Sequence, residues 1–346
     1  MMPPPREESR SVTWAALRAA FGRTPLWLVT SLATLGLAFV LALPWHAWFD
    51  EAAASYAPGA QVHHLDSAFR TDHRDEMGAL SAATQRIASG LVLLEVLLSL
   101  FFAGGWLQVF LERTHGRSVQ RFFFGGARHF GRFLRVLLLF LVGASLLDWL
   151  LHGPVWENYV LADMLGIPDA GAGSKAFESV ALETTVIQLG WLRGGLHLLG
   201  LALLFVWADY TRTRLAMHDT RSALVAGFST LFTLLRHPIR CLRPMLLLVL
   251  LEGALLTLLG FVSDGIEGGL DATSSAWTIV AIGGCSVLAI VLGKILRGAR
   301  YAAAVQVSRG VVQPLSGPSP WSQTIGGPGG PQYPIVGEQD DYGVSL

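Results

Sequence analysis

"RSVQRFFFGGARHFGRFLRVLLLF", residues 117–140, joins two chemistries in one stretch. Its first part interleaves arginine with phenylalanine. From Val136 the chain then runs apolar to Leu151, broken by a single charge, Asp148. On a helix each residue turns about 100°, so Arg121, Arg128, Arg132 and Arg135 fall within roughly 60° of one another. Val119, Phe123, Phe130 and Phe133 lie on the other side. The pattern predicts a basic amphipathic helix at a membrane surface, feeding directly into a spanning helix. Its rings enter the acyl boundary, and Arg121, Arg128, Arg132 and Arg135 contact anionic lipid headgroups.

Outward from this stretch, the rest of the chain has the same grain. Of 346 residues 52% are hydrophobic and only 14% are charged, against about 25% charged in a soluble domain. The net charge is zero, which gives no basic bias toward nucleic acid. The apolar residues fall in six runs: Pro25–Leu43, Ile87–Phe110, Phe133–Leu151, Val186–Ala208, Met245–Val262 and Ala276–Ile295. About 20 apolar residues cross a hydrocarbon core of about 30 Å, and in lipid only a helix satisfies its own backbone. The runs therefore predict an all-α integral membrane protein of six transmembrane helices. The first run is too long for a signal-peptide core, and no small-residue cleavage site follows it. Cys241 and Cys285 are the only cysteines and frame no disulfide scaffold.

Arginine placement predicts the orientation. Arg6, Arg10, Arg18 and Arg23 precede the first run, whereas the 50–86 connection is dominated by acids. The 112–135 and 209–243 connections are basic, and 152–185 and 263–275 are acidic. Lys294 at the end of the last run, and Arg297, Arg300 and Arg309 after it, make the final basic flank. This alternation puts both termini in the cytoplasm and the acidic connections outside.

Three stretches share a beginning: "RSVTWAALRAAFGRTPLW" from Arg10, the stretch from Arg117, and "RSALVAGFSTLFTLLRHPIRCLRP" from Arg221. Each reads as Arg-Ser, an apolar-periodic helix, a basic turn and a membrane helix, with the serine as N-cap. The expectation is three hairpin units, at about 10–110, 117–208 and 221–296, each opened by an interfacial helix on the cytoplasmic side. Residues 1–310 then form one transmembrane domain, with a short separate helix over Gly298–Val307. The Gly/Pro-rich segment 311–346 reads as a disordered cytoplasmic tail.

Charges inside apolar runs are the sequence's pointers to function. Glu95, Arg193 and Glu252 sit at similar depths, counted from the outer ends of their runs. Matching depth and opposite sign predict a cluster around Arg193, with Gly190 and Gly194 packing closely beside it. Gly104-Gly105 and Gly283-Gly284 are further candidates for close packing. His63, His64, Asp66, Asp72, His73, Asp75 and Glu76 crowd the first outer connection, but without a metal-ligand spacing, so no metal is assigned. No phosphate loop, GxSxG or CxxC motif occurs, and no cofactor is implied. "ADYTRTRLAMHDTRSA", residues 208–223, reads as a cytoplasmic boundary.

That last stretch, together with "LRHPIRCLRP", resembles bacterial polytopic membrane proteins similar to the membrane domain found beside glycerophosphodiester phosphodiesterases. The resemblance covers residues 207–250. It implies a non-enzymatic module of the bacterial cytoplasmic (inner) membrane and carries over no catalytic residue. The expected function is a non-catalytic protein that organises membrane or partner proteins, its partners being membrane lipids and other membrane proteins. The alternative is a transporter of a small solute or lipid, with a polar site near Glu95, Arg193 and Glu252. A third class, an intramembrane enzyme, has no motif in its favour. A transporter requires polar residues from several helices to meet at a cavity; a scaffold requires a closed interior.

Overall fold

The computed structural model describes residues 8–54, 71–112, 118–164, 183–218, 222–268 and 276–311. The described residues contain helices and no strand. In chain order they are α1 (Glu8–Phe21), α2 (Thr24–Ala54), α3 (Arg74–Glu112) and α4 (Ser118–His152), then a short π-helical segment (Trp156–Met164). α5 (Glu183–His218), α6 (Ala223–Arg236), α7 (Pro238–Gly268) and α8 (Ala276–Val311) follow. Six of the helical stretches are long and apolar enough to cross a membrane, which makes this an all-α chain of the multi-pass membrane class. The 311–346 tail, except Val311, and residues 55–70 of the first acidic connection lie outside the described residues.

Proline decides where the helices break. α1 and α6 are both 14 residues long, and each is followed by a 31-residue helix, α2 or α7. At the first junction Pro25 stands within the first turn of α2, and at the second Pro238 opens α7. Proline suits a first turn, where its missing N–H is not needed, and it disfavours continuation of the helix before it, although Pro44 and Pro244 are accommodated inside α2 and α7. The corresponding "HFGRFLR" of residues 129–135 has no proline. α4 accordingly runs unbroken through 35 residues, with the basic stretch and the apolar run on one rod. Gly131 costs about 1 kcal/mol of helix propensity, too little to stop it. α6 is capped as expected, Val225 donating its N–H to the Ser222 hydroxyl at 3.4 Å.

Several helices extend well past their apolar runs. α8 is continuous from Ala276 to Val311, so Gly298–Val307 is its last part and no separate segment. α5 continues to His218, and Asp209, Thr211 and Thr213 are buried within it, so that part of "ADYTRTRLAMHDTRSA" is packed helix interior and no exposed boundary. A run of apolar residues marks only the part of a helix that faces lipid; where helices pack on protein, polar residues continue the same helix.

The buried residues gather at one end, where α1, α6, the start of α4 and α7 and the finish of α3, α5 and α8 meet. We call this the basic end. α3 and α4 cross there through Gly104, Gly105, Gly125 and Gly126: a methyl on Gly104 would stand 2.7 Å from the Gly125 carbonyl oxygen. Trp106 packs over Gly298 of α8 and edge-on to Phe122. Phe133, expected at the acyl boundary, is fully buried in this core, whereas Phe123 and Phe124 are exposed. Side-chain bonds pin α5 to the next helices: Trp207 Nε1 donates to the Gly227 carbonyl at 3.0 Å, and Tyr210 to the Cys241 carbonyl at 2.9 Å. A methyl added at Gly283 or Gly284 would meet no neighbouring helix within 4 Å among the described residues, so the close packing expected there is absent.

Candidate functional site

Between α2, α3, α7 and α8 lies a cavity of about 350 Å³. Thr34, Glu95, Ser99, Glu252, Lys294 and Arg297 supply its polar lining, against an apolar wall that includes Val96, Leu256 and Ile290. Glu95 lies 17 residues before the end of α3, about 25 Å along the helix. Lys294 of α8 reaches it at 2.6 Å, and the Thr34 hydroxyl lies within 3.1–3.2 Å of its two carboxylate oxygens. The hydroxyl carries one proton and so donates to one of them at a time.

Glu252 follows a different geometry. Its Oε2 stands 3.3 Å from Nη1 of Arg300, close enough for an ion pair. Yet this buried oxygen has no aligned hydrogen-bond donor. The attraction is therefore electrostatic, and one acceptor position beside the cavity is left open. Arg300 also faces Asp209 of α5, its Nε 3.7 Å from Oδ2, and Arg212 bonds the same carboxylate at 3.0 Å. Arg300 and Asp209 are both more than nine-tenths buried. A line of alternating charges thus leads from the cavity through α7 and α8 to α5. Buried charges persist when paired and become costly when one partner is removed.

The structure brings two of the three residues expected together to this site. Glu95 and Glu252 both line it, and their cations are Lys294 and Arg300. Arg193 is not among the lining residues. Of the expected triad, the cavity lining thus holds the two acids. The reason lies in α5, whose packed part is its last third, around 206–215. Near its start, Gly190, Gly194 and Gly195 meet no described atom within 4 Å. Arg193 stands on that loosely packed portion, half-buried. In the sequence Lys294 and Arg300 look like the flank of the last span. The available signal was the low charge of residues 276–293, which leaves Lys294 as the first cation of a helix that carries on past it.

The four arginines assigned to headgroups divide. Arg121 pairs with Glu112 of α3 at 3.2 Å. Arg128 and Arg135 are exposed and Arg132 is half-buried. Gln108 joins the same α3–α4 seam, bonded to Glu112 and facing His129 Nε2 at 3.2 Å. In the first acidic connection His63, His64 and Asp66 lie outside the described residues. His73 Nδ1 is 2.9 Å from Glu76, which also accepts from Trp48 Nε1 at 3.3 Å. That contact ties α2 to α3, and among the described residues it gathers no third metal-ligating group. No family model, no curated protein and no solved structure matches the chain.

Proposed function

We propose that the chain is a carrier in the bacterial cytoplasmic membrane whose cavity holds a small zwitterion, either free in solution or as a lipid headgroup. The observation that carries this reading is Glu252 Oε2: a buried carboxylate oxygen beside a cavity, without an aligned donor. A ligand ammonium supplies that donor. Lys294 and Arg297 line the same space and match a ligand carboxylate or phosphate. The volume falls in the range of small-ligand sites, about 300–1,000 Å³. A scaffold asks for a closed interior, and four helices parting around opposed charges favour the carrier over it.

In this reading the basic end faces the cytoplasm, as the arginine bias dictates, and both termini lie there. The three hairpin units stand side by side, and α1, the first part of α4 and α6 sit at the headgroup level. The exposed stripe on α6 of Leu224, Phe228, Phe232 and Leu235 supports this placement, because a helix buried on one face and apolar on the other belongs at a lipid boundary.

The test is reconstitution in vesicles, with two arms. One follows the movement of headgroup-labelled phosphatidylethanolamine between leaflets; the other follows uptake of labelled glycine. Wild type should move one of them, and Glu252→Gln should abolish that movement while leaving the protein folded. A wild type inert in both arms, or a Glu252→Gln variant as active as wild type, removes the proposal.

A further inference from the structure

At the end of the bundle opposite the basic core, three metal-ligating side chains come together. Asp148 and His152 stand one turn apart at the close of α4, and His197 faces them from α5. Each offers one ligand atom, and these atoms all lie within 4.8 Å of one another. Asp148 Oδ1 and His152 Nδ1 are 3.0 Å apart, and the two imidazoles meet edge to face at 5.1 Å. Ligand bonds of about 2.0–2.2 Å in a tetrahedral site put neighbouring ligand atoms about 3.3–3.5 Å apart. The cluster is thus within a small side-chain rotation of that geometry.

A second observation points to a ligand. His197 Nδ1 is shielded from solvent and has no hydrogen-bond partner. A buried imidazole nitrogen without a partner is costly, and a metal ion bound at this nitrogen would satisfy it. Leu147 and Leu151 of α4, with Leu189 of α5, place an apolar cluster along the same two helices. Asp148 and His152 are themselves exposed, so an ion can reach the cluster from solvent.

We propose that Asp148, His152 and His197 form a site for a divalent transition metal of the zinc class, linking α4 to α5. Two imidazoles and one carboxylate suit zinc and its neighbours, whereas calcium and magnesium favour sets made wholly of oxygen. Three protein ligands leave a fourth position for water. The site is separate from the charged cavity and stands whether or not the carrier reading holds. Its role is to clamp the end of the bundle where α5 has few described neighbours.

The experiment uses the full chain without a polyhistidine tag, purified in detergent and stripped with a chelator. His63, His64 and His73 are first replaced by alanine, so that the first outer connection offers no imidazole. Titration with Co²⁺ should give visible ligand-field bands that saturate at one ion per chain and are displaced by Zn²⁺. His197→Ala should remove the bands or weaken Co²⁺ binding at least about tenfold. X-ray absorption on the zinc-loaded parent needs no further variant, and there two imidazoles in the first coordination sphere are expected. Only the weak spectrum of hydrated Co²⁺, bands that survive His197→Ala, or a zinc sphere without imidazole would each overturn the site.

Discussion

Glu95 and Lys294 form an ion pair facing the cavity, 2.6 Å apart and largely shielded from solvent. Replacing either by glutamine leaves the other charge in a site built for two. Each single change should lower the unfolding free energy in detergent by about 1–3 kcal/mol, the range for a charged hydrogen bond that is partly wet. The double variant should lose less than the sum, with a coupling of about 1 kcal/mol. Arg193→Gln combined with Glu95→Gln should instead be additive within about 0.5 kcal/mol. Equal couplings for the two cations would return Arg193 to the site. The acids were legible in the sequence because a lone carboxylate in an apolar run stands out. Their partners were not, because a cation near the end of a run is indistinguishable from a flank until helix length is known. The Asp148–His152 spacing of one turn was visible, but only the α4–α5 pairing brings His197 to it.

Among the elements, the α3–α4 crossing is the most demanding. Gly104 would drive a methyl against backbone, the Gly125 carbonyl, which cannot rotate away. Gly104→Ala should therefore cost about 1–3 kcal/mol by overpacking. Gly131, on the same α4 and meeting nothing within 4 Å, provides the contrast. Gly131→Ala should stabilise by up to about 1 kcal/mol through helix propensity. If both changes destabilise equally in a denaturant titration, the crossing is not as tight as described. α6 makes a different demand. Phe232 is 67% exposed, and a spin label introduced there should collide with oxygen, which concentrates in lipid, far more than with a water-soluble nickel complex. Water-like accessibility would place α6 away from the bilayer. The periodicity of the basic stretch was readable, but which face would meet protein was not. The rings of Phe122 and Phe133 look identical in sequence to those of Phe123 and Phe124; Phe122 is buried against Gly105 of α3, and Phe133 joins the same core stacked on His129.

Across the whole molecule, helix length and packing explain each other. The spanning helices reach 39 residues in α3 and 36 in α5 and α8, about 54–59 Å, against a hydrocarbon core of about 30 Å. Their excess must emerge on one or both sides. The tight core lies at the basic end, where the apolar runs give way to arginine-rich helix. Lipid chains are as apolar as leucine and drive little helix association, whereas water at the emerging ends does. Run lengths therefore revealed the number of spans and missed the packed base. The proposed orientation makes that base cytoplasmic, and this can be measured. In a background with Cys241→Ser and Cys285→Ser, a membrane-impermeant maleimide should label Asp72→Cys and Glu267→Cys in intact cells, since both positions are exposed at the acidic end. Gly310→Cys, exposed at the finish of α8, should react only after the cells are permeabilised. Five of the candidate spans lie between Asp72 and Gly310 and put them on opposite sides, so labelling of Gly310→Cys from outside with Asp72→Cys protected would invert the topology. It would also put the arginine-rich base on the wrong side of the membrane for the charge rule that places it.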